Sequence, residues 1–168
     1  MRDHQTTARR FAGAMKGFAA RGMRISSKGR YGLAAMITLA QHYASGSCMT
    51  VISLSERLGI SKIYLEQVFA LLKKAELVNA AKGAQGGYRL AKPPAQTSVY
   101  EVLSALELSL FEKTVPSVAQ KAENIEAAMQ ECVFSVLDSA LRKELEGVTL
   151  ADLAAEAAKR GDAYMFYI

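Results

Sequence analysis

A glycine-rich stretch with cations on either side is the part of the sequence best suited to binding an anion. It reads KGAQGGYRL over residues 82–90, so that Lys82 precedes three glycines and Arg89 follows them. A nucleotide-binding P-loop carries its lysine after the last glycine and opens a helix. Here the lysine comes first, and Pro93 and Pro94 prevent a helix soon afterwards. The stretch is therefore not a P-loop.

The same stretch is also unlike a flexible linker. Tyr88, Arg89 and Leu90 form a strand-like run that returns to the domain. Together with the run LVNAAKG before it, this run predicts a β-hairpin whose glycines provide positive φ at the tip. Lys82 and Arg89 can then neutralise phosphate or enter a minor groove.

A short helix, a turn and a longer helix are predicted before the hairpin. Thr50 caps the short helix, which ends at Gly59, and Ser61 caps the longer one. The apolar residues expected to face inward are Ile52, Leu54 and Leu58 on the short helix and Tyr64, Leu65, Val68, Leu71 and Leu72 on the longer one. This order of helix, turn, helix and hairpin predicts a winged helix-turn-helix.

The remaining predicted elements are helical. A first helix is expected over residues 27–44, capped by Ser26 or Ser27, and a short one over residues 98–107. A long helix is expected from about residue 123 to 145. Its apolar stripe consists of Ile125, Met129, Val133, Val136, Leu137, Ala140 and Leu141. Self-association through this stripe is the preferred account, and packing on its own domain is the alternative.

Charge is divided unevenly along the chain. The net charge is +5 over all 168 residues, with +4 in residues 1–22, +7 in residues 23–92 and −6 in residues 93–168. A basic first half is typical of a protein that binds a polyanion. On charge alone, a chance asymmetry of the charges on solvated faces is an equally good explanation.

We divide the chain into a basic leader (1–22), a winged helix-turn-helix domain (23–92) and a helical dimerisation or regulatory region (93–168). The expected fold class is mainly α with a small β-hairpin wing.

Composition excludes several classes of protein. The leader lacks the apolar run of a secretory signal, and it is expected either to be disordered or to act as a basic arm on nucleic acid. No apolar run approaches the roughly 18 residues of a membrane-spanning helix. Only two cysteines are present, which favours the cytoplasm. His4 and His42 are the only histidines and no Ser-His-acid set is evident, so no enzyme is expected.

Five segments of the sequence together resemble the Rrf family of bacterial winged-helix regulators. They are MRISSKGRYGLAAMITLA, LSERLGISKIYLEQVFALLKKAELV, KGAQGGYRLAK, SVYEVLSALE and GVTLADL, and they fall within residues 23–153. The family includes the iron-sulfur cluster regulator, a nitric-oxide-responsive repressor and a cysteine-metabolism regulator. The resemblance implies a homodimer, held by its long helices, that binds a pseudo-palindromic operator in double-stranded DNA.

The resemblance also implies which residues meet DNA. They are Ser27, Lys28, Tyr31, Ser61, Lys62, Tyr64, Glu66, Gln67 and Lys82. The first three would contact the DNA backbone, the next five would lie on the recognition helix, and the last would reach the minor groove. The side-chain chemistry of two of these residues is consistent with base recognition. Gln67 can form paired hydrogen bonds with adenine, and Glu66 can accept a hydrogen bond from the amino group of cytosine. An ordinary solvated helix face is the alternative for these two residues.

The chain departs from the family pattern where a sensor is expected. Cluster-binding members carry three closely spaced cysteines just before the long helix, and this chain has none there until Cys132. One such cysteine per chain gives at most two ligands in a dimer, whereas a cluster needs four, so no iron-sulfur cluster or other cofactor is expected. Cys132, expected to be half-buried, is either a thiol sensor or a packing residue, and Cys48, in a loop expected to be exposed, is a second candidate. A small-molecule or protein effector is the other source of a signal.

The function predicted from these observations is that of a sequence-specific DNA-binding transcriptional regulator, acting as a homodimeric repressor. A winged helix that binds only protein is the alternative. The charge distribution favours DNA, because the +7 falls on the segment that holds the helix-turn-helix.

Overall fold

The computed structural model describes residues 24–83, 86–112, 115–118 and 121–165, so the predicted leader and the hairpin tip at residues 84–85 lie outside the described residues. The helices are α1 (Ser27–His42), α2 (Val51–Leu58), α3 (Lys62–Lys74), α4 (Val99–Leu106), α5 (Leu108–Phe111), α6 (Glu123–Met129), α7 (Ser135–Glu146) and α8 (Leu150–Met165). The strands are β1 (Val78–Ala81) and β2 (Gly87–Leu90), 3-10 turns lie at Tyr43–Ser45 and Pro94–Gln96, and a π-helical turn at Gln130–Phe134 joins α6 to α7. This mainly helical fold with one hairpin confirms the predicted fold class.

Capping side chains set the ends of the helix-turn-helix. The Thr50 hydroxyl accepts a hydrogen bond from the Ser53 amide at 3.0 Å, and Gly59 ends α2 with a φ of 65°. The Ser61 hydroxyl accepts from the Tyr64 amide at 3.4 Å and so caps α3. These local signals were sufficient to predict both helices.

The prediction that Ile52 faces inward is wrong. Leu54 is fully buried, whereas Ile52 is 54% exposed. Successive residues of an α-helix are rotated by about 100°, so two residues place Ile52 on nearly the opposite side of α2 from Leu54. A helix this short buries only one narrow row of side chains.

The hairpin is fixed to the helix-turn-helix on two sides. The Tyr88 ring stacks on Phe69 of α3 with centroids 4.2 Å apart, and the Tyr88 and Met49 backbones exchange hydrogen bonds of 2.8 and 2.9 Å. Gly87 has a φ of 140°, and a Cβ there would overlap the Met49 carbonyl. Glycine is therefore required where β2 passes the segment before α2.

One apolar core joins α1, α2, α3, α4, the hairpin and the start of α8. The fully buried side chains of this core include Met36, Leu54, Leu65, Val68, Phe69, Leu72, Leu106 and Leu150. Helix α4 contributes one face to this core, since Val99, Val102, Leu103 and Leu106 are all buried. Ser98 and Glu101 form a capping box at the start of α4.

The long helix is observed, but it is not regular. It runs from Glu123 to Glu146 through the π-helical turn at Gln130–Phe134. We define the exposed stripe as Ile125, Val133, Val136 and Leu137, each at least 46% exposed. Within the part of the chain that the structure describes, no helix combines the length and apolarity needed to cross a membrane.

Candidate nucleic-acid interface

Helix α3 separates a buried face from a polar one. Leu65, Val68 and Phe69 are fully buried, so the helix cannot rotate without emptying the core. Glu66 and Gln67 therefore project outward and are exposed. Two adjacent side chains that can distinguish bases are thus held on a rigid helix rather than on a loop.

Lys62 and Glu66 form an ion pair one turn apart on this outer face. The Lys62 Nζ lies 3.7 Å from a Glu66 carboxylate oxygen, and both side chains are about half exposed. Exposed pairs of this kind contribute little to stability. Glu66 is therefore free to exchange this contact for a cytosine amino group, and Lys62 for a phosphate.

The beginnings of α1 and α3 meet through two tyrosines. The Tyr31 and Tyr64 rings make an edge-to-face contact, with centroids 5.3 Å apart and planes at 81°. Ser26, rather than Ser27, caps α1, because its hydroxyl accepts from the Gly29 amide at 3.2 Å. Ser27 is left exposed at the helix start, beside the half-buried Lys28. The structure thus brings the two predicted groups of DNA contacts together.

The two cations of the hairpin are placed differently. Lys82 directly follows β1 and is exposed. Arg89 is paired with Asn79 across the hairpin and, since side chains alternate along a strand, it points away from the face on which Tyr88 stacks. It lines a groove of about 460 Å³ together with His42, at the end of α1, and residues that follow this helix. The structure therefore groups Arg89 with the end of α1 rather than with α3.

Most cations of the winged helix-turn-helix domain have no acidic partner among the residues that the structure describes. Among the described residues from 24 to 92, ion pairs involve only Lys62, with Glu66, and Lys92, with Glu101. The unpaired cations among these described residues include Arg24, Lys28, Arg30, Lys73, Lys74, Lys82 and Arg89. Cations without protein partners are available to phosphate oxygens.

Ile63 is an exposed residue that the sequence analysis missed. It is the second residue of α3, and 71% of its surface is exposed. The signal that could have found it was its phase, because it falls outside the apolar row formed by Leu65, Val68 and Leu72.

Both expectations for the exposure of the cysteines are wrong. Cys132 is exposed because it lies in the π-helical turn of a helix whose outer side is uncovered in the protomer. Cys48 is half-buried because the next residue, Met49, is paired with Tyr88 of the hairpin. These are the only two cysteines of the sequence, and the described residues contain no group of three His, Cys, Asp or Glu side chains that could hold a metal.

Named relatives of this chain are transcriptional regulators. CymR of Bacillus subtilis (strain 168), an HTH-type transcriptional regulator, is 36% identical over 146 residues, which cover 87% of this chain and all of CymR. The solved structure of T. potens IscR is 37% identical, has a TM-score of 0.62 and is matched over 81% of this chain and 89% of its own. The structure of the oxidized form of Staphylococcus aureus CymR is 32% identical, with a TM-score of 0.60, over 79% of this chain and 96% of its own.

A family model covers most of the chain as well. The Rrf2 model, described as an iron-dependent transcriptional regulator, matches residues 25–156. This range contains every described element from α1 to α7 and the first seven residues of α8. The family and its named members are transcriptional regulators and not enzymes. The chain therefore belongs to the Rrf2 family of DNA-binding transcriptional regulators.

Proposed function

We propose that the protein is a homodimeric repressor that binds a pseudo-palindromic operator, with one copy of α3 in the major groove of each half-site. The observation that carries this proposal is the division of α3 into a fully buried inner face and an outer face bearing Glu66 and Gln67. A two-fold symmetric dimer presents two such helices to two related half-sites.

Within this proposal, the contacts divide into those that recognise sequence and those that hold the DNA backbone. Gln67 pairs with adenine and Glu66 with cytosine, on adjacent base pairs. Ser27, Lys28 and Tyr31 contact phosphates from the start of α1. Lys82 enters the minor groove from the wing, where a narrow groove attracts cations.

The dimer is formed, in this proposal, by the exposed stripe of the long helix. Four large apolar side chains on one helix are uncovered in the protomer, with Leu137 at 62% exposure. Large apolar side chains that are exposed along one helix are typical of an interface, and a second copy supplies a matching stripe.

The signal is proposed to act without an iron-sulfur cluster, because the chain lacks the three closely spaced cysteines of the cluster-binding family members. Cys48 is the better placed of the two candidate thiols, since it adjoins the Met49 pairing that anchors the wing. We expect peroxide to weaken DNA binding in the unmodified protein and in Cys132→Ser, but not in Cys48→Ser. Equal sensitivity of all three proteins would leave a small-molecule or protein effector as the signal. We place the protein in the cytoplasm, where DNA is accessible and thiols stay reduced.

Selection of binding sites from random duplexes tests this function. The expected result is an enriched pseudo-palindrome whose half-sites lie about one helical turn apart, or a multiple of it. Reporter expression from a promoter carrying that site should fall when the protein is produced. Enrichment of no sequence would contradict the proposal and favour a winged helix that binds only protein.

A further inference from the structure

An isolated apolar side chain lies on the outer face of α3. Ile63 is 71% exposed, and its row along the helix continues to Gln67 and Ala70, which are also exposed. Residues four and seven apart lie within about 40° of one another around an α-helix. Ile63 and Gln67 therefore point the same way, one turn apart.

The surroundings of Ile63 do not suit an apolar docking surface. Its neighbours on the outer face are the Lys62–Glu66 ion pair and Gln67, all of them polar. The apolar surfaces that mark protein interfaces are contiguous patches rather than single side chains. A single branched aliphatic side chain among polar ones matches instead the major groove, where the thymine methyl is the apolar group among hydrogen-bonding edges.

We propose that Ile63 contacts the C5-methyl group of a thymine and so specifies a thymine near the adenine paired with Gln67. This inference rests on the proposed role of α3 in reading the operator. Four residues of helix rise about 6 Å, which is close to two steps of B-DNA at about 3.4 Å each. The thymine should therefore lie about two base pairs from the adenine, toward the side contacted by the start of α3.

Replacing thymine by deoxyuridine tests this contact directly, because it removes only the methyl group and keeps base pairing. Each thymine of the selected operator is replaced in turn, symmetrically in both half-sites. One position is expected to weaken binding by the unmodified protein by roughly fourfold per half-site, the value of one buried methyl group. Ile63→Ala should bind both duplexes equally, at the weakened level.

Ile52→Ala is the matched control, since Ile52 is an exposed isoleucine on α2, outside the recognition helix. It should keep the full sensitivity to deoxyuridine. Unchanged binding of random DNA by Ile63→Ala shows that this variant is folded.

Two outcomes would overturn the inference while leaving the proposed function intact. One is a selected operator with no deoxyuridine-sensitive thymine, and the other is an equal sensitivity in Ile63→Ala. A failure of the proposed function looks different, because the unmodified protein would then prefer no duplex at all.

Discussion

The Glu107 carboxylate accepts two hydrogen bonds from Ser26, one from the Ser26 amide at 2.8 Å and one from the Ser26 hydroxyl at 2.6 Å. Ser26 caps α1, the helix whose start is proposed to contact DNA, and Glu107 lies between α4 and α5 on the path to the long helix. Glu107 is buried, and a Cβ at Gly29 would overlap its carboxylate. The proposed DNA-binding end of α1 is thus tied to the segment that leads to the proposed dimer helix.

Replacing Glu107 by Ala should destabilise the fold and weaken DNA binding. The change leaves the Ser26 amide and hydroxyl without their partner, which we expect to cost about 1–3 kcal/mol in the free energy of unfolding. Urea unfolding measures this cost, and Glu112→Ala, at an exposed position nearby, is the control. Equal stability of the two variants would mean that the hydrogen bonds between Ser26 and Glu107 contribute nothing.

The capping box of α4 should make stability depend on pH. Burial alone would raise the pKa of Glu101, but hydrogen bonds from Ser98 and Lys92 outweigh it and hold the pKa below its ordinary value. A carboxyl group whose pKa is lowered by folding stabilises the fold at pH values above its pKa in the unfolded chain, about 4.3 for Glu. This stabilisation is lost as the pH falls through the lowered pKa of the folded state.

Glu101→Gln should therefore be less stable than the unmodified protein at pH 7, and the difference should shrink below about pH 4. Urea unfolding at both pH values measures it. Glu56→Gln, at an exposed residue of α2, should show no such difference. A stability gap for Glu101→Gln that persists at low pH would contradict this role of the carboxylate.

The dimer should depend on the exposed stripe. Val136→Asp with Leu137→Asp places two charges where a second copy is proposed to pack, so the protein should sediment as a monomer. Both residues are exposed in the protomer, so helicity by circular dichroism should survive. Asp138→Lys, which alters charge on another side of α7, should remain dimeric. A monomeric mass for the unmodified protein at micromolar concentration would refute the proposed interface.

The protein is expected to be colourless when purified without oxygen. Two cysteines per chain do not supply the ligand set of a cluster in the family pattern. Visible absorbance, iron and acid-labile sulfide are the measurements. Stoichiometric iron and sulfide that disappear in Cys132→Ser would show that the dimer holds a cluster by another ligand set.

Local signals account for the parts of the fold that the sequence predicts well. Thr50, Gly59 and Ser61 act through hydrogen bonds and dihedral angles within a few residues, so the sequence is enough to place α2 and α3. The contact between Ser26 and Glu107 joins residues that are 81 positions apart, and no hydrophobic periodicity in the sequence predicts it. Such long-range contacts are settled only when the elements pack.

In the candidate site, too, the sequence predicts what depends on local pattern and not what depends on tertiary packing. The phase of α3 predicted that Leu65, Val68 and Leu72 face inward, but Phe69 was not among the residues predicted to be buried. The same phase implies that Glu66 and Gln67 face outward. The same phase places Ile63 on the outer face, because this residue lies outside the apolar row of α3. Strand alternation predicts that Tyr88 and Arg89 lie on opposite faces of the hairpin, but not which of the two faces the helices. The stacking of Tyr88 on Phe69, a tertiary contact, decides this.

The cations at the edges of the interface should act differently from the residues on α3. Lys28→Ala should weaken binding to all duplexes alike and make the salt dependence shallower by about 0.9 for each phosphate that the protein no longer neutralises. Lys82→Ala should weaken binding most on operators that are rich in A·T where the wing lands. Titrations at several salt concentrations measure both effects. If Lys82→Ala weakened binding equally on all DNA sequences, Lys82 would contact only phosphates and not the minor groove.

The most direct test of sequence recognition by α3 compares Gln67→Ala with Lys28→Ala on the selected operator and on random DNA. If α3 reads bases, Gln67→Ala loses about 1–3 kcal/mol of binding free energy on the operator and little on random DNA. Lys28→Ala then loses similar amounts on both. Identical behaviour of the two variants on the two DNAs would contradict the claim that α3 recognises sequence.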